Sequence, residues 1–209
     1  MSIKYYSVVV ILIIFFSGCE TRPRENSSIS VIKDVPEFFQ TKSWKYEFGH
    51  LQWALGIKPI DDGFVEWQIR LWIGHGYTET DSTQLLIFKK ESNRISGVLY
   101  TYVSYSKTID TTVNLFKRIT PLSPISGWAS FIKGLENLGI YDLPDYNKLK
   151  GYKTGMDSYG VTVEVATSHK YRIYDYPDYE INVDQFAEAK KMLGIVREIE
   201  REFKIRAYY

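Results

Sequence analysis

Two glutamates come nearest, by type and spacing, to residues that could do chemistry. Cleaving a glycosidic bond takes two carboxyl groups across a groove, one giving a proton and one attacking or activating water. Glu66 and Glu164 each fall on the polar side of an alternating segment, where a groove could find them. Each also has an arginine within reach by spacing. Arg70 lies on the same strand face as Glu66, and Arg172 stands across a hairpin from Glu164. Ion pairs on strand faces are therefore the expectation for both. Trp72 shares its face with Arg70 and, with Tyr100 and Tyr102, forms an aromatic strand surface suited to contact with a partner.

Other chemistries find less support. No Gly-x-Ser-x-Gly elbow occurs, and Ser130 falls inside an expected helix. Gly74-His75-Gly76 lacks the third glycine and the following helix that a phosphate cradle needs. The three histidines, His50, His75 and His169, share no helical turn, and no His-Glu-x-x-His motif is present. Asp157 stands in a loop too short in ligand spacing for calcium. His169 reads as a turn residue tolerant of positive φ. The surface or groove candidates are therefore Glu66, Arg70, Trp72, His75, Glu164 and Arg172, with no catalytic residue, cofactor or metal ligand assigned.

Cys19 carries a different chemistry. It is the only cysteine in 209 residues. Before it stand Lys4, the uncharged run 8–16, and the small pair Ser17-Gly18. The run is about half the ~20 residues of a membrane span, and it matches the roughly 7–15 apolar residues of a signal peptide. This order resembles the lipobox of bacterial lipoproteins, which implies cleavage after residue 18 and an acyl group on Cys19. The rest of the chain then has no thiol for a disulfide, a metal or a nucleophile.

Lys plus Arg number 26 and Asp plus Glu 25, a balance without the basic face that nucleic acid requires. Aromatics make up 16% of the chain, with 17 Tyr and 5 Trp, as suits β-rich packing.

The elements that must position these residues follow from periodicity. Residues 1–18 are the leader, 19–36 the anchor and flexible tether, and 37–209 a single α+β domain with a sub-lobe boundary near 120–125. Val65, Trp67, Ile69, Leu71 and Ile73 alternate with Glu66, Gln68, Arg70 and Trp72, a strand with one buried face. Runs at 84–90, 94–105 and 111–119, separated by turn residues, extend an antiparallel sheet of about five to seven strands. The aromatic segment 44–55 is taken as one more strand.

After Pro121 and Pro124 the period changes. Ser126 is expected to cap a helix with the stripe Trp128, Phe131, Ile132, Leu135 and Leu138, ended by Gly139. Residues 161–166 and 171–174 form a hairpin. A three-residue loop, Thr167-Ser168-His169, would put Glu164 opposite Arg172 and Val165 opposite Tyr171. Asn182 or Asp184 is expected to cap a last helix with the stripe Phe186, Ala189, Leu193, Val196, Ile199 and Phe203. Two main helices on the sheet, with helix, hairpin and helix in the second half, complete the expectation.

Three segments together resemble families of uncharacterised bacterial envelope lipoproteins. They are the lipobox, Glu66-Trp67-Gln68-Ile69-Arg70-Leu71-Trp72, and Leu138-Gly139-Ile140-Tyr141-Asp142-Leu143-Pro144, with Tyr171-Arg172 in a following strand. The resemblance implies a protein of the cell envelope; with the lipid on Cys19, the outer membrane is expected before the inner. A protein or glycan of the envelope would be its partner.

Overall fold

The computed structural model describes residues 30–74, 83–105, 114–155 and 159–206. Seven strands form one sheet: β1 (Ile32–Asp34), β2 (Trp67–Ile73), β3 (Thr83–Glu91), β4 (Arg94–Tyr105), β5 (Asn114–Leu122), β6 (Gly160–Thr167) and β7 (Lys170–Pro177). Their order is β1-β7-β6-β2-β3-β4-β5, and every pairing is antiparallel except β1 with β7. The sheet thus begins inside the segment expected to be tether.

Ser92 and Asn93 join β3 to β4 with φ of 50° and 64°, as a two-residue hairpin turn of matching twist requires. Pro121 lies within β5 rather than ending it. As the last strand in the order, β5 can lose a ladder donor at little cost.

Helices cover both faces of the sheet. On one face α3 (Trp128–Asn137) and α5 (Ala187–Phe203) bury Phe131, Leu135, Ile195, Val196 and Ile199 against Ile69, Leu71, Phe88, Val161 and Val163. On the other, α1 (Glu37–Gln40) and α2 (Lys42–Leu55) bury Phe39, Phe48 and Leu55 against Trp72, Leu85, Ile87 and Ile173. A short α4 (Tyr179–Asn182) precedes α5, and a 3-10 turn, Tyr146–Lys148, lies between α3 and β6. Three helices therefore have ten residues or more, where two were expected. Among the described residues no helix is long and apolar enough to cross a membrane.

The additional helix, α2, corrects the strand expected over 44–55. Trp44, Phe48, Leu51 and Leu55 recur at four, three and four residues, the helical period, and this outweighs the aromatic content that favoured a strand. Thr41 accepts a hydrogen bond from the Trp44 N–H at the start, and Gly56 closes the end at φ +72°. Because α2 lies over the sheet, β2 is buried on both faces, not one.

Two expected helix caps change. The N-cap of α3 is Gly127, while the Ser126 N–H donates to the Glu202 carboxylate at 2.8 Å. Gly139 does take the left-handed conformation past the helix, at φ +82°. Neither Asn182 nor Asp184 caps α5. Asn182 instead ties Lys153 to Asp178, bonding the Lys153 N–H and C=O and the Asp178 C=O.

The hairpin turns on two residues, so Val165 stands opposite Arg172, Glu164 opposite Ile173 and Ala166 opposite Tyr171. A three-residue loop would keep the apolar residues on one side. That constraint is void where both faces are covered. His169 sits in this turn without a positive φ.

Candidate functional site

The register of β2 against β6 sets Arg70 directly beside Glu164, with both side chains on the α2 face. Both are buried, at 2% and 1% exposure. The Arg70 Nη1 lies 3.7 Å from the Glu164 Oε2. The Trp72 Nε1 donates to that same oxygen at 2.8 Å, and the Tyr171 hydroxyl donates to Oε1 at 3.0 Å. The Arg70 Nη2 donates to the Lys58 carbonyl, and Nε and Nη1 make no hydrogen bond among the described residues. Burial pushes the Glu164 carboxyl above its ordinary range, opposed by Arg70 and by the two donors.

Above this cluster, between α1, α2 and the β1–β7 edge, opens a cleft of about 430 Å³. Small-molecule sites commonly occupy roughly 300–1,000 Å³. Phe39, Trp44 and Phe48 make its apolar wall, with Trp44 stacked on Phe48 at 5.1 Å and edge-on to Phe39 at 4.9 Å. Glu164, Tyr171 and Gln52 are the deeply buried polar lining. Lys33, Lys45 and Asp61 lie at the exposed rim, where Lys33 pairs with Asp61 at 2.9 Å and with Asp62 at 3.1 Å. Another carboxyl, the half-buried Asp175, lies on the same sheet face. It accepts from the Thr162 hydroxyl at 3.0 Å and is pushed up to about 7, chiefly by loss of solvent.

The six candidates part company. Arg70, Trp72 and Glu164 form one cluster. Glu66 stays outside it: it pairs with Lys90 at 3.2 Å and accepts the Asn93 N–H at 3.0 Å, the contact that most lowers its carboxyl. Its expected partner Arg70 is four residues along β2, roughly 13 Å at ~3.3 Å per residue. Glu164 lies beside Arg70 and lines the cleft, held by Trp72 and Tyr171. Glu66 is held by Lys90 and Asn93 and is not in the cleft lining, so the two carboxyls do not face each other as an acid–base pair must.

Arg172 is on the opposite face from Glu164, so that expected pair does not form. Its guanidinium donates to the carbonyls of Tyr141 and Leu143 and lies 3.4 Å from the Asp34 carboxylate. Trp72 and Tyr102 are buried under α2, so the aromatic strand surface is covered, not open. Cys19, His75 and Asp157 lie outside the described residues.

Gln52, Tyr171 and the aromatic wall escaped the sequence reading. Gln52 was findable. It sits four residues from Phe48 and eight from Trp44, a polar side chain within an apolar helical stripe, once the segment is read as a helix.

Compared with known proteins, the chain matches no family model, no curated protein and no solved structure. What fold and site define is a class: a mostly antiparallel seven-stranded sheet with helices on both faces and a polar-floored cleft beneath one of them.

Proposed function

We propose that the protein is a lipid-anchored component of the cell envelope, tethered through Cys19, that works as a non-enzymatic binding module with the cleft under α2 as its site. One observation carries the reading: buried polar side chains, Glu164 and Gln52, line a cleft whose wall is aromatic. Polar groups are buried at a loss unless something satisfies them, and a ligand can complete what the protein leaves open. Hydrolysis by Glu66 with Glu164 is disfavoured because the two carboxyls do not face each other. Nucleic acid stays disfavoured by the even charge balance.

The address and the module have separate tests. Full-length protein should take up radiolabelled palmitate and sediment with membranes, whereas Cys19→Ala should be soluble, unlabelled and folded. An unlabelled wild-type protein refutes the anchor.

For the module, Gly49 offers a clean lever. It lines the cleft, and a Cβ built there meets nothing within 4 Å. Gly49→Phe should fill the space without removing a polar group. A water-soluble envelope extract should raise the melting temperature of the wild-type protein by several degrees and leave Gly49→Phe unmoved. Equal shifts, or none, would mean that the cleft is not the site.

A further inference from the structure

We propose that the cleft takes a neutral, hydroxyl-rich ligand, a sugar unit of an envelope glycan, with Gln52 and Glu164 reading its hydroxyls. The inference rests on the cleft being the binding site and names what it binds.

Charge narrows the choice first. Glu164 already has Arg70 as its counter-ion at 3.7 Å, and Lys33 at the rim is paired with Asp61 and Asp62. A cationic ligand at the floor would meet Arg70 behind the carboxylate, and an anionic one would meet the carboxylate itself. The floor favours neither sign of net charge.

Hydrogen bonding narrows it further. Gln52 is 4% exposed and lines the cleft, and its side-chain amide is not among the fully buried polar atoms left without a partner, which keeps it open to an occupant of the cleft. The amide offers two donors and an acceptor. Glu164 accepts from Trp72 and Tyr171, one bond to each oxygen, which leaves acceptor capacity on both. A carboxylate and a carboxamide lining one cleft suit groups that donate and accept together, as adjacent hydroxyls do. A wholly apolar occupant would leave both side chains unpaired.

The wall fits the same ligand. Trp44 packs on both its neighbours, stacked on Phe48 and edge-on to Phe39, so one side of the cleft is a packed aromatic wall. A sugar ring has one C–H-rich face for such a wall and an edge of hydroxyls for the floor.

The test uses full-length protein in detergent micelles, with tryptophan fluorescence as the readout because Trp44 lines the cleft. The probes are glucose, galactose, N-acetylglucosamine, maltose, cellobiose and chitobiose, with choline as organic cation and benzoate as organic anion. At least one neutral sugar should give a saturable change, weakened tenfold or more by Gln52→Ala and abolished by Gly49→Phe. Gln52→Leu, which keeps the volume, replaces Gln52→Ala if that variant does not fold.

Saturable binding of choline or benzoate alone, abolished by Gly49→Phe, overturns the sugar and leaves the cleft standing as a site. A sugar response untouched by Gln52→Ala or by Gly49→Phe overturns the proposal. So does a flat response to every probe, in which case the envelope-extract experiment separately decides whether the cleft binds anything.

Discussion

Arg70 and Glu164 hold each other in a place where neither could stay charged alone. Deleting one member of a buried pair typically costs about 3–5 kcal/mol, because the partner is left as an uncompensated charge. Here the remaining carboxyl can respond by taking up a proton, since burial already raises it. That makes the loss depend on pH, with a definite sign. A carboxyl whose folded pKa lies above its unfolded value stabilises the fold fully below the unfolded value, near the ordinary 4.5, and loses that contribution as pH rises. Arg70→Ala raises the folded value further. Urea unfolding of Arg70→Ala and wild type should show a stability gap that is larger at pH 7.5 than at pH 4.5. In a Glu164→Gln background the gap should not vary with pH, because only the lost bond to the Lys58 carbonyl remains. A gap equal at both pH values in the original background would mean that the ion pair adds nothing. The sequence did place Arg70, Trp72 and Glu164 among its candidates by their position on strand faces. It misassigned their partners, because pairing between residues far apart in the chain depends on a register that only the packed sheet decides.

At the scale of elements, α2 makes the difference between an open strand face and a cleft. Two glycines show how its packing differs from that of α3. Gly49 is inside α2 and faces open space, so Gly49→Ala should replace a poor helix former by the best one without a clash. The gain should be about 0.5–1 kcal/mol in chemical denaturation. Gly97 sits in β4 beneath α3, where a Cβ would come within 2.6 Å of the Trp128 ring and 3.0 Å of Phe88. Gly97→Ala should therefore lose about 1–3 kcal/mol, the usual consequence of overpacking. A neutral Gly97→Ala would show that Trp128 can swing away from the sheet. The strands of the β3–β4–β5 meander were legible because period-2 alternation and turn residues act locally. The helix over 44–55 was legible too, through its four-three-four spacing, but aromatic content pulled the reading toward a strand. The burial of both faces of β2 was not written in β2. Its alternation reads as amphipathic because Gln68 and Arg70 are polar, and it is Glu164 on β6, with α2 over that face, that makes the burial of Arg70 tolerable.

The whole molecule is tied together by where β2 sits. It pairs with β3 from the first half of the chain and with β6 from the second, seven residue pairs on each side. The two apolar cores cross the same seam. On the α3–α5 face, Ile69, Leu71 and Phe88 pack with Val161, Val163 and Tyr174, while on the α2 face Trp72 and Leu85 pack with Ala166 and Ile173. Neither half can keep its core dry without the other, whatever the change of period near residues 120–125 suggests about sub-lobes. The expected behaviour is one cooperative transition. The tryptophans allow a direct check, because Trp72 reports the α2 face and Trp128 the α3–α5 face. Two variants, one retaining only Trp72 and the other only Trp128, with Phe at the remaining tryptophans, should each unfold with the same midpoint by fluorescence as by far-UV circular dichroism. If the Trp72 signal is lost at lower denaturant than the helical signal, α1 and α2 open as a separate unit, and the cleft is then a surface that forms and melts rather than a fixed site. If the midpoints coincide, the floor of the cleft is as rigid as the core, and Gln52 and Glu164 are held in place before any ligand arrives. That is the condition under which a preorganised amide contributes to affinity instead of relaxing away from its partner.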